Sequence, residues 1–371
     1  MNRDDHNRII EASNVPEIFQ RIRLHPFHPL NDEQSLTIDQ YHNTAGIVDL
    51  DNEDWSMRLL AIRDLVRAGT ESTSQIINGL FDDSIHVRQL SAMALGILRA
   101  KTAVSELERV VSEDVNAMVR SQALISLGQM ESEQSLELIR KRQKIDPSRD
   151  VRHQCELSID QIEKKMGATE KLLSAYLSID ASAFKSVRVG ELAPGFELDD
   201  TEGNRWTLDQ FQNKRWVVLI WIFADWCPVC HGEFHDLIEQ REQFEKAGIQ
   251  VFTVEIHDTY RGRVMVGQEL EPEYWFAKES FKQAYTDKIW WPHLLDRAGV
   301  YASIYGADPY AFCVHGEYIN RPSTVIIDNQ GKVRLAYSGR YWGDRPTIDQ
   351  TIQMIKSDEF TFDSPERKDK K

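Results

Sequence analysis

A chain of 371 residues has room for two or three domains, each with a core of its own. With 41% apolar and 28% charged residues the composition is that of an ordinary globular protein, and Asp plus Glu outnumber Lys plus Arg 59 to 44. The resulting formal charge of -15 disfavours nonspecific attraction to phosphate backbones or anionic lipid, so neither a nucleic-acid nor a membrane partner is expected. The N-terminal stretch MNRDDHNRIIEASNVPEIF carries no apolar core of signal-peptide length. The longest apolar run, WVVLIWIF at 216–223, falls well short of the about 20 residues a membrane helix needs. Four cysteines are too few for a disulfide framework, and a reducing cytoplasm is the expected location.

Residues 1–45 form a segment without assignment. Its LHPFHPL stretch holds His25 and His28 at metal-like spacing, but in a proline-broken loop with no second pair of ligands, so no metal is expected. From 46 to 165 the sequence repeats. Val-Arg recurs at 87–88, 119–120 and 151–152, 32 residues apart, each time after an acidic, turn-prone stretch, and a weaker copy ends at Arg58. Three residues after each Arg stands a small residue (Ala61, Ser91, Ala123, Cys155), and seven after it a large apolar one (Leu65, Leu95, Leu127, Ile159). A small residue followed one turn later by a large one is what stacked helices need on a shared face, which makes Cys155 a packing thiol.

The segments VRQLSAMALGIL and VRSQALISLGQM resemble HEAT-like repeats of the phycobilisome-lyase type. The resemblance implies an all-α solenoid that presents a protein-binding surface. Pigment attachment is a third functional option that comes with it, although no pigment chemistry is visible in these residues.

Residues 166–188 read as a connecting helix and linker. Beyond them, from 189 to 357, short apolar runs alternate with helical stretches. Strands are predicted at 216–223, 249–256, 323–328 and 332–337, the last two joined by DNQG at 328–331. Parallel strands alternating with helices, closed by one hairpin, point to an α/β thioredoxin-like sandwich behind the all-α solenoid. The residues 358–371 read as a polar tail. The run FADWCPVCHGEF at 223–234 places Cys227 and Cys230 where a buried strand turns into an amphipathic helix. A thiol at a helix N-terminus gains from the unpaired backbone N–H groups and the helix dipole, which favours thiolate. Pro228 suits the first helical turn, where it costs no hydrogen bond, and Trp226 is expected to wall the dithiol.

GELAPGFELDDTEGNRWTLDQF, FADWCPVC, WPHLLDRAGVYASIYG and RPSTVIIDNQGKV together resemble, in the correct order, the redoxins of the alkyl hydroperoxide reductase/thiol-specific antioxidant superfamily. The resemblance implies Cys227 as nucleophile, Cys230 as resolving thiol and a redox-active Cys227–Cys230 disulfide with no other cofactor. It further implies a cis Pro322 that leaves the Arg321 backbone free to pair with an extended substrate strand. The implied partners are protein thiol/disulfide clients and a reducing partner, with the repeats as the client-binding module. The sequence departs from the thioredoxin pattern at Trp221, where a buried acid is usual, so Glu255 and His257 stand as possible acid/base groups.

A peroxiredoxin-like peroxide reductase is the alternative enzyme, with Arg321 polarising the peroxide. Against it, the positions three and seven before Cys230 are Cys227 and Phe223 rather than Thr or Ser and Pro. A non-enzymatic scaffold is the alternative from another class. CPVCH also satisfies the C-x-x-C-H pattern of covalent haem attachment, but in a redoxin frame His231 falls on an exposed helical turn. Zinc held by Cys227, Cys230, His231 and His235 would draw every ligand from one segment, unlike the usual structural sites. Cys313, nine residues before Pro322, is a candidate second resolving thiol.

Overall fold

The computed structural model describes residues 46–270, 288–341 and 343–364. His25 and His28 lie outside these residues, as do residues 365–371 of the polar tail. The first half is a stack of helix pairs: α1 (Trp55–Ala68), α2 (Thr73–Gly79), α3 (Ile85–Ile97), α4 (Val104–Glu113), α5 (Ala117–Gln129), α6 (Leu136–Ile145) and α7 (Arg149–Glu163).

The repeated arginines explain why the repeat needs them. Arg58 donates to the carbonyl of Asn52, Arg88 to that of Asp82, Arg120 to that of Asp114 and Arg152 to that of Asp146, six residues back in every case. Each arginine thereby satisfies a loop carbonyl ahead of its helix. Arg88 also pairs with Asp114 at 2.7 Å and Arg120 with Asp146 at 2.8 Å, so each repeat is stitched to the loop of the next. The small slot is fully buried at Ala61, Ser91, Ala123 and Cys155. Burial pushes the Cys155 thiol up to about 12, as a packing role requires. At Gly96 a Cβ would meet the Ser126 side chain within 2.9 Å, so the helices approach too closely there for alanine.

The connecting segment holds α8 (Glu170–Leu177), whose Leu172 and Tyr176 enter the solenoid core. The second half opens with a hairpin, β1 (Glu197–Asp199) and β2 (Arg205–Thr207), and then builds a five-stranded sheet. Its strands are β3 (Trp216–Trp221), β4 (Ile249–Glu255), β5 (His293–Leu295), β8 (Ser323–Ile327) and β9 (Val333–Ser338), in the order β5-β4-β3-β8-β9. β3, β4 and β5 run parallel, while β8 lies antiparallel to both β3 and β9. Helices α9 (Pro228–Glu239), α10 (Arg241–Lys246), α11 (Thr259–Met265), α12 (Val300–Tyr305) and α13 (Ile348–Ser357) complete a thioredoxin-like arrangement. The four predicted strands are present within two residues at each end.

A second hairpin, β6 (Phe312–Val314) and β7 (Glu317–Ile319), stands apart from the main sheet. It packs between the halves: Tyr310, Cys313 and Tyr318 belong to the same core as the solenoid helices. No helix among the described residues is long and apolar enough to cross a membrane.

Candidate dithiol site

β3 is buried along almost its whole length, as its apolar run demands, and it delivers the chain to a tight corner at Ala224–Trp226. There α9 begins, with Cys227 as N-cap and Pro228 in the first turn. The Cys230 backbone N–H donates to Cys227 Sγ at 3.3 Å, so the first thiol caps the helix with its sulfur. Cys230 Sγ in turn accepts the Phe223 N–H at 3.5 Å. Both cysteines are free thiols, and neither is more than 1% exposed.

This burial changes the expected electrostatics. Burial, followed by the hydrogen bond and charge of Cys230, raises the Cys227 thiol well above its ordinary value; the Cys230 N–H and the Arg345 guanidinium act in the opposite direction and lose. The helix N-terminus therefore does not by itself yield a thiolate in this closed arrangement. Trp226 is 3% exposed, with its ring against Phe223 and 4.7 Å from His315.

Arg345 is the site residue that sequence reasoning missed. It is 4% exposed, it grips Glu233 through Nε at 2.7 Å and through Nη2, and it donates to the Trp221 carbonyl. Its Nη2 lies 3.9 Å from Cys230 Sγ, which puts a fixed positive charge beside the dithiol. The available signal was an arginine set among turn residues in GDRPT, just after the last strand, where no solvated helix face accounts for it.

Pro322 requires a correction. The structure contains no cis peptide bond among the described residues, so the Arg321–Pro322 bond is trans. Nor is the Arg321 backbone free: its N–H donates to the Ala307 carbonyl at 2.7 Å, and its own carbonyl accepts from the Asn320 and Ser323 side chains. The Arg321 side chain pairs with Asp308 at 2.6 Å, and it is Arg345 that meets the dithiol. His231 is a second correction: it is fully buried, with Nε2 against the Asp225 carbonyl, rather than on an exposed turn.

Glu255 and His257 form an ion cluster of their own. His257 faces Glu317 at 3.1 Å and Glu255 at 3.7 Å, and Glu255 also faces His293 at 3.6 Å. Burial works against charge on both, but the mutual pairing prevails: Glu255 falls to about 2 and His257 rises to about 9. A group so far from neutrality holds its charge rather than exchanging a proton near pH 7. The cluster continues through Glu317 to Arg261, at 2.6 Å, and from Arg261 to Asp225 in the corner before the dithiol. Cys313 points the other way. Strand alternation sends its neighbours Phe312 and Val314 into the core that holds the dithiol, and Cys313 into the solenoid core. Among the described residues no group of three or more His, Cys, Asp or Glu side chains is arranged to hold a metal ion.

Comparison with known proteins agrees with this division. Residues 189–336 match the AhpC/TSA family, and residues 47–123 and 73–160 match HEAT repeats as a class, with no lyase assignment attached. The chain is 25% identical over 171 residues to the thiol-disulfide oxidoreductase ResA of Geobacillus thermodenitrificans, covering 46% of this chain and 80% of that protein. It is 29% identical over 147 residues to a peroxiredoxin of Aquifex aeolicus, covering 40% of this chain and 59% of that protein. A solved structure, the reduced 2-Cys peroxiredoxin of Plasmodium vivax, matches over 46% of this chain and 96% of that one, at 19% identity and a TM-score of 0.36.

Proposed function

We propose that this chain, an AhpC/TSA-family redoxin domain carried behind HEAT repeats, is a thiol-disulfide oxidoreductase working through Cys227 and Cys230 in a reducing compartment. The observation that supports it most directly is the placement of both sulfurs in the first turn of α9, with the Cys230 N–H on Cys227 Sγ. In the exchange, a Cys227 thiolate attacks one sulfur of a client disulfide, the S–S bond breaks, and the displaced sulfur leaves as a thiolate that takes up a proton. Cys230 then attacks Cys227 Sγ of the mixed disulfide and expels the second client thiol. The protein is left with a Cys227–Cys230 disulfide, which a dithiol reductant returns to the free thiols. Arg345 places a fixed positive charge 3.9 Å from Cys230 Sγ, beside the sulfur that makes the second attack. Protein clients and a reducing partner follow from this chemistry.

Equilibration in glutathione or dithiothreitol buffers, with the thiols trapped and identified by mass spectrometry, tests the reading. A reversible intramolecular Cys227–Cys230 couple supports it, and the mechanism fails if these two residues never join.

Arg345 also favours a second reading, peroxide reduction. A Cys230 thiolate would attack one peroxide oxygen, the O–O bond would break, and the other oxygen would leave as water or an alcohol after taking a proton. The resulting Cys230 sulfenic acid would condense with the Cys227 thiol, giving the disulfide and water. The two readings separate on single variants. Peroxide consumption that persists in Cys227→Ser and vanishes in Cys230→Ser favours the second, and loss of disulfide attack in Cys227→Ser favours the first.

A further inference from the structure

The hairpin β6–β7 has two faces with different partners. Phe312, Val314 and Ile319 join the core that holds Cys227 and Cys230, while Cys313 and Tyr318, paired across the strands, join the solenoid core. Its two-residue turn has both residues at positive φ, His315 at 51° and Gly316 at 90°, the conformation that suits the twist of a tight hairpin. A Cβ on Gly316 would come within 2.5 Å of the Ser121 side chain on α5, so the tip is pressed against the solenoid with no space for a side chain. His315 lies edge-on to Trp226, the residue before Cys227. The hairpin tip thus meets the residue before Cys227 at the same place where it touches the solenoid.

The solenoid holds this ribbon with residues from successive inner helices. Arg58 of α1 donates to the Tyr310 carbonyl at 2.7 Å, and Gln89 of α3 donates to the Gly316 carbonyl at 3.0 Å. His86 meets the Tyr318 hydroxyl at 2.7 Å, and Asp150 of α7 meets His315 at 3.0 Å. Two of these contacts read main-chain carbonyls, which every polypeptide carries. The ribbon does not exhaust the space either. A cavity of about 80 Å³ remains beside it, bordered by Gln122, Gln154, Tyr310, Glu317 and Tyr318. Gln122 is 2% exposed there, and its Oε1 has no hydrogen-bond partner.

We propose that the inner face of the solenoid is a groove for a two-stranded polypeptide, filled by the chain's own residues 310–319 in this closed state. A disulfide-bearing hairpin of a client protein takes that place and thereby uncovers Cys227. The client identity rests on the thiol-disulfide reading; the groove and the cover do not. The arrangement makes selection and access a single event, because only a segment that displaces the hairpin reaches the sulfur.

The test uses the reduced full chain and native-state alkylation by iodoacetamide, with modification of Cys227 read by mass spectrometry. Gln89→Ala and Asp150→Asn lie in the solenoid, outside the redoxin domain, and each removes one hold on the hairpin. Each is expected to speed alkylation by up to about tenfold, the effect of losing one hydrogen bond in Gln89→Ala or the negative charge opposite His315 in Asp150→Asn from the closed state. Thermal melting checks that each variant remains folded, and Asp150→Asn, which keeps the side-chain shape, serves if Gln89→Ala is unstable. The second arm adds a synthetic peptide of residues 309–320 carrying Cys313→Ser, expected to accelerate alkylation of the wild type in a saturable way. Equal alkylation rates in the wild type and both folded variants overturn the cover. Faster variants with no effect of the peptide at any concentration overturn the groove. A dithiol that alkylates faster in the variants yet never forms a Cys227–Cys230 disulfide leaves the groove standing and removes the oxidoreductase reading.

Discussion

In the solenoid, paired arginine recurs: Arg88, half-buried, and Arg120, buried, occupy equivalent places in successive repeats, each tied to a carbonyl six residues back and to the aspartate of the next loop. In the redoxin half, Arg345 and Arg261 each occur once, one beside Cys230 and the other joining the Asp225 corner to the hairpin residue Glu317. The energetic demand is similar in both halves, since a buried guanidinium needs a carboxylate partner wherever it sits. What differs is repetition. A charge pair that returns every 32 residues serves the architecture, and one that appears once stands at the mouth of a helix bearing two thiols.

This contrast breaks if Arg120→Ala changes the dithiol. Removing Arg120 leaves Asp146, 2% exposed, with Arg142 as its remaining cationic partner, and is expected to cost about 3 kcal/mol of stability by urea unfolding. The dithiol potential should not move. Arg345→Lys should do the reverse. Lysine has no fork to hold Glu233 twice while also reaching the Trp221 carbonyl, so the positive charge beside Cys230 is less well placed. At alkaline pH, where the dithiol ionises, the reduced form loses thiolate stabilisation, and the potential measured there is expected to fall by about 30 mV, equivalent to about 1.4 kcal/mol.

A further effect comes from pH. His257 is raised to about 9 by Glu255 and Glu317, so its contribution to stability is fully present below its unfolded value near 6.5 and is lost as pH rises through about 9. The melting temperature should therefore decline across that window, and His257→Gln should flatten the decline; an unchanged profile in the variant would remove His257 as its source. The smallest effect is expected for Cys155→Ser. The same slot holds Ser91 in an earlier repeat, so the change should cost no more than about 1 kcal/mol and leave disulfide exchange untouched.

Legibility in the sequence followed the same contrast. The inner helices were readable because Arg, small and large residues return at a fixed spacing, and the central strands because their apolar runs are long enough to stand out. The hairpin β6–β7 was not, since three-residue strands carry too little alternation to be seen. Cys227 and Cys230 were legible from a spacing within one helical turn. Arg345 was not, because it reaches Cys230 from 115 residues further along the chain. The state of Pro322 was carried over from family position, and the local hydrogen bonds of Arg321 hold that segment differently.

The contacts that seat the hairpin on the solenoid join residues very far apart in the chain: Arg58 and Tyr310 are separated by 252 positions, Gln89 and Gly316 by 227. Helix pairs stitched to their neighbours form from local contacts and fold early, whereas closures over such long loops come late. The solenoid is thus expected to be complete while the redoxin half is still arriving. During synthesis its inner face is expected to stand open until residues 310–319 have emerged.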